Sequence, residues 1–193
     1  NSIYINEGSH YEKMKLFTTL AHEGFPGHLY QNVFANTSGL PSVRQLLNYS
    51  GYTEGWATYV EMISYQYAGL DKDLAKVLQL NQSIVLTLYA SMDMGIHYQG
   101  WDASDVKNFL SDYGISNASA ANDTYEYILG EPANYLKYYI GYLKFLDLQK
   151  YAKKALGEKY TDRAFHEAVL RIGPAPFDII KKYLLDYIPE SGK

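Results

Sequence analysis

A mainly α-helical domain, with at most a short edge strand at its N-terminal end, is the fold class this sequence predicts, and three observations predict it. Apolar residues recur at helical spacing, as in Met14, Phe17, Leu20 and Ala21 or in Ile84, Val85, Leu88 and Met92. Turn residues fall between these runs, at Pro26–Gly27, Thr37–Pro41, Gly114–Asn117 and Gly157. Strand-like alternation is confined to Asn1–Asn6, NSIYIN. The 193 residues, 47% hydrophobic and 20% charged, suit a single domain spanning 1–193 with enough chain to bury a core.

Taken in order, residues 1–6 read as an edge strand and 10–25 as a helix with its apolar side at Met14, Phe17, Leu20 and Ala21. Pro26 has no amide hydrogen and its ring clashes with the carbonyl of His22, so a kink is expected there, with Gly27 taking the unusual dihedrals and a helix resuming over 28–36. Thr37–Pro41 is a loop and 42–49 a short helix. The next helix covers 53–68, with Thr53 as its cap. A long apolar helix runs from Leu74 to about Tyr98, with Leu78, Ile84, Val85, Leu88 and Met92 facing inward. Two shorter helices, 103–113 and 118–129, flank the Gly-Ile-Ser-Asn turn. Pro132 opens a helix that Gly157 closes, and 161–171 and 176–187 finish the chain.

Chemistry concentrates in Thr18–Gln31, TTLAHEGFPGHLYQ. His22, Glu23 and His28 provide two imidazoles to hold a metal and a carboxylate to take a proton from its water. The familiar spacing is H-E-x-x-H, which puts both histidines on one helix face; here it is H-E-x-x-P-G-H. On a straight helix the second histidine would point about 120° away, so the break at Pro26 has to bring His28 back. Downstream, Glu54 and Glu61 lie two turns apart on nearly one face of a helix. Glu54, beside the small Gly55 and Ala57, suits a third ligand, and Glu61 suits a partner that orients a ligand histidine. Asp93 and His97 are four apart, close enough to pair. Tyr135, Tyr138, Tyr142 and Phe145 form a helical stripe whose plain reading is core packing. His166 fits either a contact near the site or helix packing.

HEGFPGHLYQ, TEGWATYVE, MDMGIHYQGW, EPANYLKYYIGYLK and AFHEAVLRIGPAPF occur in that order, and the chain from Asn1 to about Ile180 resembles the bacterial family termed domain of unknown function 885, grouped with gluzincin-type zinc metallopeptidases. The resemblance implies a helical catalytic domain of zincin type. It implies Zn2+ on His22, His28 and Glu54, with Glu23 as general base. It also implies a substrate-facing role for His97 and, by alignment with the family's tyrosine, Tyr138 as an oxyanion donor, with Tyr139 as the rival. Gln149 stands where the family often has arginine, and basic residues ahead of MDMGIH are missing.

The expected activity is zinc-dependent hydrolysis of peptide bonds. A different class is a helical peptide- or sugar-binding module, its groove walled by some of the 21 tyrosines and its metal site structural or vestigial. A di-iron carboxylate bundle needs two Glu-x-x-His motifs, and only Glu7–His10 supplies one. A net charge of -4 argues against nucleic acid as a partner, and no apolar run is long enough to span a membrane. The absence of cysteine removes thiolate chemistry and leaves the compartment open. The chain has no initiating methionine and opens in mid-pattern, so a C-terminal piece of a larger protein is expected, one that needs the part preceding it. A signal there would put it in the cell envelope or outside the cell.

Overall fold

The structure, a computed structural model, describes residues 2–6 and 12–188. They form ten α-helices joined by turns and short 3-10 segments, and no strand occurs among the described residues. Residues 2–6 are irregular, so the edge strand expected there does not form; Asn1, Glu7 and His10 lie outside the described residues. No described helix is long and apolar enough to cross a membrane.

The organising helix is α4, Ser50–Ser64, which buries residues on all sides, among them Tyr52, Trp56, Tyr59, Val60 and Met62. It starts three residues before Thr53, which therefore sits inside the first turn and not at the cap. Across it lies α8, Asn134–Leu156, and the two meet where both lack a side chain. A Cβ on Gly55 would lie 2.6 Å from the Gly141 backbone, and one on Gly141 would lie 2.3 Å from the carbonyl oxygen of Gly51. Tyr142 and Phe145 of α8 complete this core with Phe165 and Val169 of α9, Asp162–Ile172, and Ile180 of α10, Phe177–Tyr183.

A second core joins α5, Lys72–Gln99, to α6, Ala103–Asp112, and α7, Ala118–Leu129, through Leu88, Met92, Ile96, Val106, Leu110 and Ile128. Asp71 caps α5, accepting from the amides of Asp73 and Leu74, so the helix begins two residues earlier than its apolar pattern. Of its expected inward residues, Leu88 and Met92 are buried, whereas Ile84 is 54% and Val85 37% exposed. Asp102 with Asp105 and Asn117 cap the two shorter helices.

Pro132 does not open α8. The buried Asp93 carboxylate of α5 accepts the backbone amides of Ala133 and Tyr135, at 2.9 and 3.0 Å, so a side chain from another helix sets the start at Asn134. The remaining helices are α1, Lys13–Glu23, α2, His28–Thr37, and the single turn α3, Ser42–Gln45, much shorter than the 42–49 expected. Thr18 and Ala21 are the buried residues of α1, and Phe17 is exposed.

Candidate metal centre

The expected kink at Pro26 is a full break. The first helix ends at Glu23, the peptide Phe25–Pro26 is cis, and a new helix starts at His28. Two close approaches fold the link back. A Cβ on Gly27 would stand 1.7 Å from the carbonyl oxygen of His22, and the Trp56 indole donates to the carbonyl of Pro26 at 2.9 Å. His28 thereby returns to His22, their rings edge to face at 4.9 Å between centroids. The break accomplishes what a straight helix with this spacing cannot.

Glu54 of α4 enters between them. Its Oε2 lies 3.3 Å from His28 Nε2 and 3.8 Å from His22 Nε2. One ligand atom from each residue falls within 4.8 Å of the others. Ligands about 2.0–2.1 Å from a tetrahedral zinc stand about 3.3 Å apart, so these three fit such an ion with small side-chain adjustments. One turn pair further along α4, Glu61 Oε2 takes the other ring nitrogen of His22, Nδ1, at 2.9 Å, and Gln82 donates to Glu61 Oε1 at 3.2 Å. A proton held on Nδ1 leaves the Nε2 lone pair free to point at the cluster.

Burial lowers the His22 pKa, but Glu54 and Glu61 outweigh it and raise it to about 9. Burial raises that of Glu54, but both histidines outweigh it and bring it down to about 2. A cation entering the site would displace the His22 proton.

Glu23 ends α1 next to His22, with an exposed side chain whose charge acts on His22 and Tyr138. The Tyr138 ring lies 6.3 Å from the His22 ring. Burial first, then Glu54 and Glu23, raise the pKa of its hydroxyl, which keeps it a donor. Lys137, which sequence reasoning passed over, places Nζ 3.8 Å from Glu54 Oε1. It is the sole cation in the EPANYLKYYIGY stretch, and that was its signal. Gln82 reaches Glu61 across 21 residues of chain, and no local pattern marks it.

Other candidates point elsewhere. Asp93 holds the start of α8, and His97 Nε2 bonds to the carbonyl of Ile128 at 3.0 Å while lying 3.8 Å from Asp93. Tyr139 packs beside Tyr142 on the first core. His166 Nε2 bonds to the Tyr59 hydroxyl at 2.9 Å, and Gln149 donates to that same hydroxyl at 2.9 Å. Two cavities of about 530 Å³ each flank Phe25 and Pro26, lined by Val60 and Ile63 on the side of α4 away from Glu54 and by Tyr67 in the 3-10 turn that follows. None of His22, His28 and Glu54 lines either one.

The family described as "Bacterial protein of unknown function (DUF885)" matches residues 3–184. Among solved structures, a candidate lipoprotein from Colwellia psychrerythraea is similar at 29% identity and a TM-score of 0.77, covering 91% of this chain and 30% of that one. A candidate lipoprotein of unknown function from Shewanella oneidensis shares the fold at 24% identity and a TM-score of 0.76, covering 91% and 32%. The chain thus spans about a third of the length of these solved relatives. No curated protein matches.

Proposed function

The chain belongs to the bacterial family of unknown function DUF885, and we propose that within it the chain is the metal-binding part of a gluzincin-like, zinc-dependent hydrolase that cleaves peptide bonds. The observation that carries this reading is the convergence of His22, His28 and Glu54 within 4.8 Å. Two imidazoles and a carboxylate are the protein ligands of one class of catalytic zinc site, which keeps its fourth position for water. Zinc bound there would polarise a carbonyl and acidify that water.

The other steps belong to side chains. Glu61 orients His22. Glu23, exposed beside the ligand His22, accepts the proton of a water in the site and returns it to the leaving amine. The Tyr138 hydroxyl donates to the oxyanion that develops at the attacked carbonyl. Two similar structures described as candidate lipoproteins support a place in the cell envelope.

Glu23→Gln tests the reading, because an amide can still hydrogen-bond a water but cannot take its proton. The variant should keep zinc and lose hydrolysis of a peptide mixture. Parental hydrolysis by the variant contradicts the assignment. Zinc uptake with no hydrolysis in either form would favour the binding module with a structural metal.

A further inference from the structure

The two oxygens of Glu54 face different partners. Oε2 faces the imidazoles of His28 and His22, at 3.3 and 3.8 Å, while Oε1 faces the ammonium of Lys137 at 3.8 Å. A carboxylate beside a metal can bind through one oxygen or swing to bind through both, and the second mode consumes the position a water needs. We propose that Lys137 is a positioning residue that holds Glu54 as a one-oxygen ligand, an assignment that rests on reading His22, His28 and Glu54 as a metal site.

The fold fixes this contact. Lys137 lies one turn before Gly141, whose backbone presses against Gly55, the neighbour of Glu54. Any shift of α8 along α4 therefore moves the ammonium relative to the carboxylate. The same Nζ stands 5.1 Å over the Tyr138 ring, so a cation–π contact steadies it between the third ligand and the proposed oxyanion donor. Glu61 restrains His22 through a hydrogen bond of 2.9 Å, and Lys137 acts on Glu54 through charge across 3.8 Å. Its charge has the sign that draws Oε1 away from a metal bound at Oε2.

Cobalt loading of the purified chain reads this directly, because the visible bands of Co2+ weaken as its coordination number rises. Parent, Lys137→Met, Lys137→Gln and Lys137→Arg are loaded with Co2+, and far-UV circular dichroism establishes that each is folded. The expected result is a loss of band intensity in the two neutral variants and recovery in Lys137→Arg, which restores the cation. Neutral variants with the parental spectrum overturn the proposal while leaving the metal site standing. Equal loss in Lys137→Arg also overturns it, since charge would not be the cause. A parent chain that takes up no cobalt overturns the metal reading and this proposal together.

Discussion

At the scale of single residues, the proposed function divides the site into groups that would hold a metal and groups that would react. Tyr138→Phe keeps the ring against His22 and deletes only the hydroxyl. Loss of one placed donor typically slows turnover by about 10² to 10³, so that fall is expected with unchanged metal content. A parental rate in steady-state kinetics would move the donor role elsewhere. His166 gives a separate test. Burial lowers its pKa from 6.5, with Asp162 opposing and Lys153 adding to the shift. The folded chain therefore resists protonation that the unfolded chain accepts, and stability is lost as pH falls below about 6.5. Thermal unfolding of His166→Gln should show a smaller loss between about pH 7 and 5.5 than the parent. Identical slopes would count against a half-buried imidazole that resists protonation.

At the scale of elements, the His-Glu-His pattern and most helices were legible because both rest on local spacing. His22, Glu23 and His28 stand out within seven residues, and the proline between the histidines announces a break. The form of that break was not legible. Its geometry depends on Trp56 reaching the carbonyl of Pro26 across 30 residues. The start of α8 was missed for the same reason, since Asp93, 40 residues upstream, sets it, whereas α6 and α7 begin at Ala103 and Ala118 as their spacing predicts. Ile84 and Val85 followed a helical apolar pattern, yet periodicity alone does not say which face a neighbour covers. The Gly55–Gly141 crossing brings Glu54 and Lys137 together, and Gly141→Ala forces backbones apart. A loss of about 1–3 kcal/mol is expected by denaturant titration, together with weaker metal uptake. Unchanged stability would mean that the crossing can relax without cost.

At the scale of the whole molecule, the chain spans about a third of its solved relatives, yet His22, His28, Glu54, Glu61 and Tyr138 all lie within it. Metal binding is therefore expected of this chain by itself, whatever a longer protein adds around it. Removing one of three ligands should weaken that binding by orders of magnitude, since each ligand also positions the others. The most direct measurement is elemental analysis of the purified chain and of Glu54→Ala after exposure to zinc and removal of the excess. One zinc per parent chain and none in the folded Glu54→Ala variant is the expected result; a metal-free parent, or a full complement of zinc in Glu54→Ala, would contradict it.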